Sequence, residues 1–112
     1  MKSCFGLDDS DYKIIYAKGG RIEHFVCEFN MDNDSIDMVL NPIINDLKIA
    51  QGLLIKFITS SKYEQFYNIA KIMDRINNLT HKDALMIIDI GNEDLETEIF
   101  KFEIIISGLP EN

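Results

Sequence analysis

The chemistry this sequence can offer is mostly carboxylate chemistry, and the carboxylates gather in two places. Asp8, Asp9 and Asp11 fall within Gly6-Leu7-Asp8-Asp9-Ser10-Asp11, while Glu93, Asp94, Glu96 and Glu98 lie between two apolar runs near the C-terminus. By residue type, the first group reads as a solvated acidic loop whose last member caps a helix, because side-chain oxygens and negative charge suit helix starts. The second reads as a solvated hairpin tip. A small enzyme would have to join the Asp8/Asp11 pair to His24 or His81. No nucleophile, base and orienting group recur at a recognisable spacing, so this reading ranks last. His24 and His81 are far apart and form no HExxH pattern, and Cys4 and Cys27 form no CxxC. No metal site is expected from such a set. Cys27 reads as a small core residue. No GxGxxG or P-loop spacing exists among the glycines, so no cofactor is expected in this chain.

Composition narrows the partners. At 112 residues and 46% hydrophobic content, the chain fits one domain, residues 1–112, with a single core. The net charge is −8, from 19 acids against 11 bases. Nucleic acid is excluded as a partner because phosphate binding needs clustered Lys and Arg, and here Lys13, Lys18, Arg21, Lys48 and Lys56 are scattered singly. The same argument disfavours direct contact with an anionic membrane. No apolar run approaches the length of a spanning helix, and no signal-like N-terminus is present, so a reduced, cytoplasmic setting is expected.

The elements that would position the carboxylates follow from periodicity. Asp11 or Ser10 can cap a short helix from Tyr12 to Lys18, stopped by Gly19-Gly20. A hairpin turning through Gly19-Gly20 is the alternative. Arg21 to Phe29 alternates as a strand, with Ile22, His24, Val26 and Glu28 on one side and Phe25, Cys27 and Phe29 on the other. Asn33 or Asp34 caps a helix carrying Ile36, Val39 and Leu40, which Pro42 keeps short or bent. Ala50 to Thr59 is apolar on both faces, as a central strand would be.

Ser61-Lys-Tyr-Glu64 forms a capping box before a helix whose stripe is Phe66, Ile69, Ala70, Met73 and Ile76. Ala84 to Ile90 and Glu98 to Ser107 are the last strands, and their short connection predicts an antiparallel pair. The sum is a two-layer α/β (α+β) sandwich with one four-stranded mixed sheet and helices on one face. Leu54, Ile105 and Ile22 are expected to stay exposed on the other face, where an apolar patch would be a docking surface.

This order of elements, together with several local runs, resembles the C-terminal, GTPase-activating domain of FtsZ-type cell-division proteins, members of the FtsZ/tubulin superfamily. Asn41-Pro42-Ile43-Ile44 precedes Ala50-Gln51-Gly52-Leu53-Leu54-Ile55 at the family's distance. Leu85-Met-Ile-Ile-Asp89, Leu95, and Phe100-Lys-Phe-Glu-Ile-Ile-Ile-Ser-Gly108-Leu109 follow the pattern of its last two strands. The sharpest match is Gly6-Leu7-Asp8-Asp9-Ser10-Asp11-Tyr12-Lys13, which is similar to the family's synergy loop N-L-D-F-A-D-V-K, with Gly20 at the family's spacing from the second aspartate.

The resemblance implies that Asp8 and Asp11 enter the nucleotide pocket of a neighbouring subunit and help position the water that attacks the GTP γ-phosphate. Such chemistry depends above all on positioning. The implied partner is an FtsZ-like nucleotide-binding domain, or the chain itself, and GTP would sit only on the partner subunit. The chain alone would not be an enzyme, since the phosphate-binding domain is outside this sequence. The alternative is a non-catalytic interaction domain of the same fold, dimerising or binding another partner through its open sheet face. Departures from the family are Gly6 in place of asparagine, Cys27-Glu28-Phe29 in place of a glycine-rich strand end, and no membrane-tether tail beyond Asn112.

Overall fold

A computed structural model describes residues 9–29, 35–60, 66–93 and 100–111. Its elements are α1 (Asp9–Tyr16), β1 (Arg21–Phe29), α2 (Ile36–Leu40), a 3-10 turn (Asn41–Ile43), α3 (Ile44–Ile49), β2 (Gly52–Ser60), α4 (Phe66–Leu79), β3 (Leu85–Glu93) and β4 (Phe100–Leu109). Helix, not hairpin, is what precedes Gly19-Gly20. The helix begins earlier than its capping residues suggested, so Asp11 lies within its first turn. The cap of α2 is Ser35, whose hydroxyl accepts from the Met38 N–H, and not Asn33 or Asp34. Pro42 opens the 3-10 turn, where its missing N–H removes no helical bond, and so divides α2 from α3.

The four strands form one mixed sheet in the order β1-β4-β2-β3. β2 and β3 are parallel, while β4 runs antiparallel to both β1 and β2. The expected antiparallel pairing of the last two strands is therefore overturned, because β2 lies between them. The β2-α4-β3 crossover makes those two strands parallel neighbours and leaves the other edge of β2 open for β4. Sequence separation misled here: the connection between Glu93 and Phe100 can reach roughly 20 Å, ample for two strand spacings of about 5 Å each.

The core lies between the sheet and a layer made of α2, the 3-10 turn, α3 and α4. Leu40, Ile43, Leu47, Ile69, Ile72 and Ile76 meet Leu53, Ile55, Phe57, Phe102, Ile104 and Ile106 there. Phe57 and Phe102 are opposed across β2 and β4, with ring centroids 5.9 Å apart. Phe25 and Cys27 pack against this cluster from β1, as the alternation predicted. In α4 the buried stripe is Ile69, Ile72, Met73 and Ile76; Ile72 replaces Ala70, which faces solvent. The capping box at 61–64 and the acidic loop at 94–98 lie outside the described residues, as do Cys4 and Gly6.

The two-layer sandwich is thus the observed fold, with one addition. Helix α1 sits on the face opposite the main helical layer, over the start of β2. Its Ile15 is 1% exposed. Space for it comes from Gly52: a side chain there would fall 2.6 Å from the Ser107 hydroxyl and 3.3 Å from Ile15 Cδ1. That second face is consequently not an open apolar surface. Leu54 is 2% exposed, contrary to expectation, and Ile105 is half-buried, whereas Ile22 is exposed as predicted.

Candidate functional site

Of the two aspartates singled out by sequence, Asp8 lies outside the described residues and Asp11 is half-buried in the first turn of α1. The direction of α1 follows from what it touches. Ile15 and Lys18 lie against Gly52, at the start of β2. Tyr12, one turn earlier, lies within the electrostatic reach of Glu103 and Asp89. Those two carboxylates flank Lys56, four residues further along β2. So α1 runs antiparallel to β2, with its first turn directed toward the C-terminal ends of the parallel strands.

Beneath that first turn lies a row of charge. Glu103, Lys56 and Asp89 are neighbours across β4, β2 and β3, on the face away from the main core. His24 on β1 brings its Nε2 to 3.8 Å from a Glu103 carboxylate oxygen, an ion pair only when the imidazole is protonated. Burial pushes the Tyr12 phenol above its ordinary value, and the charges of Glu103, Tyr16, Asp89 and Asp11 push in the same direction. Its ring also stacks on Tyr16, with centroids 6.5 Å apart. Sequence reading overlooked this row. The signal was a charged residue within each of three largely apolar strands, Lys56, Asp89 and Glu103, although β4 also carries Lys101.

The remaining sequence candidates are not brought to it. His81 lies at the opposite end of the sheet, in the α4–β3 connection, where its Nδ1 accepts from the Asp83 N–H. There it borders a depression of about 360 Å³ with Lys18, Gln51 and Asp83. Among the described residues no cluster of His, Cys, Asp or Glu is arranged to hold a metal ion, and no helix is long and apolar enough to cross a membrane. The arrangement offers a carboxylate on a helical first turn over a charged sheet face, without a nucleophile beside a base.

Gly20 needs no active-site explanation. It adopts φ +68°, and a side chain there would collide with the Leu109 carbonyl, because Gly19 accepts from the Gly108 N–H at 2.8 Å and draws the two backbones together. The spacing from Asp11 to Gly20 is therefore the length of α1 plus this junction.

Known structures share the fold. An empty FtsZ dimer from M. jannaschii superimposes with a TM-score of 0.73 at 17% identity, over 96% of this chain and 32% of that one. The fold is that of the FtsZ/tubulin C-terminal domain. GDP-form protofilaments of TubZ from Bacillus thuringiensis serovar israelensis match at a TM-score of 0.69 and 14% identity, covering 98% of this chain and 33% of TubZ. CetZ from Methanosaeta thermophila matches at 0.59 and 15%, over 88% and 30% of the respective chains. No protein-family model and no curated protein matches the sequence. The chain spans about a third of the length of these structures, and at such identities the FtsZ-like likeness is one of fold.

Proposed function

We propose that this chain is the polymerisation and GTPase-activating module of an FtsZ-like cell-division protein, contacting the nucleotide face of a neighbouring subunit through the Asp8–Asp11 segment. The observation that carries the reading is the position of Asp11. It stands on the first turn of a helix set apart from the main helical layer, in a fold shared with an FtsZ dimer and TubZ protofilaments. In this role Asp8 and Asp11 hold the attacking water against GTP bound to the partner. They contribute orientation and charge but form no bond, and the chain alone turns nothing over. The module works in the cytoplasm, and its partner is an FtsZ-like nucleotide-binding domain or another copy of the same protein.

The test titrates this chain into GTP-bound FtsZ from the same cell, following phosphate release and pelleted polymer together. A free module occupies the nucleotide face and caps filaments. Polymer should fall while phosphate release per bound subunit holds or rises, and Asp8→Ala with Asp11→Ala should remove the second effect. An effect on release that survives both substitutions refutes the catalytic part. No change in either signal favours the non-catalytic interaction domain. That alternative has lost part of its surface, since Leu54 and Ile58 are buried and the same face carries Lys56, Asp89 and Glu103.

A further inference from the structure

The two edges of the sheet are built differently. β1, at one edge, carries Arg21, Glu23, His24 and Glu28, and its register breaks between Arg21 and Glu23. Charges and an irregularity are the usual defences of an edge against pairing with another chain. β3, at the other edge, keeps its register throughout, and the one charge among its first six residues, Asp89, is buried on the face away from the main core. Those six residues are Leu-Met-Ile-Ile-Asp-Ile, without proline, lysine or a break in register. Ile88 is 46% exposed although its side chain points to the core face of the sheet, between the half-buried Met86 and Ile90.

The backbone of β3 fixes which groups are on offer. Leu85 donates its N–H to Gln51, toward β2. Strand groups alternate in direction, so Leu85, Ile87 and Asp89 point to β2, while Met86, Ile88 and Ile90 point their N–H and C=O outward. Among the described residues no strand pairs with that side.

We propose that the β3 edge pairs with the β3 edge of a second copy of this chain, antiparallel and centred on Ile88. In this register Ile88 faces Ile88 of the second copy and Met86 faces Ile90, so the outward groups of all three residues are satisfied by symmetry. The same row of side chains is wholly apolar. Asp89 falls opposite Ile87, in a chain whose net charge of −8 otherwise opposes self-association. The two neighbouring registers are worse. Centring on Asp89 sets the two carboxylates directly opposite each other, which is destabilising. Centring on Ile87 calls on the Ala84 N–H, which is already given to the His81 carbonyl. A two-fold pair of this kind is closed and cannot grow through the same edge. Edge pairing of five residues buries less than the ~1,200 Å² of a standard interface, so the dimer is weak and concentration-dependent.

Cysteine cross-linking tests the register. In a Cys4→Ser, Cys27→Ser background, Ile88→Cys should give a covalent dimer on mild oxidation, since facing Cα atoms of a hydrogen-bonded antiparallel pair lie about 5.5 Å apart, within disulfide reach. Met86→Cys alone and Ile90→Cys alone should stay monomeric, and an equal mixture of the two should cross-link. Separately, sedimentation of the unmodified protein should show a concentration-dependent dimer that Ile88→Lys abolishes while leaving the circular dichroism spectrum unchanged. Cross-linking of all three single variants alike, or of none, overturns the register. A protein monomeric at every concentration overturns the pairing itself.

Discussion

Gly19 and Gly20 share one backbone conformation, with φ of +69° and +68°, and differ in what surrounds them. A side chain on Gly19 would meet nothing within 4 Å, whereas one on Gly20 would strike the Leu109 carbonyl oxygen and lie 3.1 Å from the Gly108 carbonyl carbon. Alanine at either position incurs the left-handed penalty of about 1–2 kcal/mol. At Gly20 it also forces two backbones apart, at a further cost of roughly 1–3 kcal/mol typical of overpacking. With an unfolding entropy near 2.1 cal/mol/K per residue, 1 kcal/mol moves the midpoint of a chain this size by about 4 °C. Gly19→Ala is therefore expected to lower the thermal midpoint by about 4–8 °C and Gly20→Ala by roughly 8–20 °C, followed by circular dichroism. Equal shifts for the two would refute the close-approach argument. They would also reopen a functional explanation for the spacing between Asp11 and Gly20.

Three further outcomes follow from the same geometry. Phe102→Ala removes a fully buried ring that faces Phe57, and should cost about 3–5 kcal/mol in denaturant unfolding; a loss below 1 kcal/mol would mean the two layers are not packed as described. Arg75→Ala breaks the exposed 2.7 Å pair with Asp37 and should cost less than about 1 kcal/mol, with the difference shrinking further in salt; a large loss at high salt would contradict a surface role. The Tyr12 phenol titrates higher when folded, so its contribution is full below its unfolded value of about 10 and is lost as pH climbs through the raised folded value. Above about pH 10 the wild type should lose more stability than Tyr12→Phe, and parallel curves for the two would show that Tyr12 does not sit near Glu103 and Asp89.

Much of the fold was legible because local periodicity and local burial agree. The alternation of β1 and β4 and the apolar faces of β2 each needed only neighbours in sequence to declare which side meets the core. The helix before Gly19-Gly20 was legible for the same reason, though its start was not, since several residues between Asp8 and Asp11 can begin a helix. α4 was legible as a helix, but its stripe was misassigned at one position. Ala70 and Ile72 are both apolar, and only contact with α3 and the sheet decides which is inside. Of the candidate site, sequence supplied Asp11 and its place near a helix start. Each of Glu103, Lys56 and Asp89 was visible as a charge within an apolar strand, but not as a row, because its members are far apart in the chain and become neighbours only through pairing.

By itself, then, the sequence determined the four strands and three of the helices, the acidic balance and the lack of a phosphate-cradling motif, all of which follow from composition and short-range spacing, but it read a loop at Asn45-Asp46 where α3 forms. Tertiary structure decided the order of the strands, the seat of α1 on the second face and the contrast between the charges of the β1 edge and the apolar row Met86, Ile88 and Ile90 at the β3 edge. These depend on which strand takes which edge. That choice is set by the β2-α4-β3 crossover and by close backbone approach at Gly20 and Gly52, long-range packing constraints that no local pattern carries.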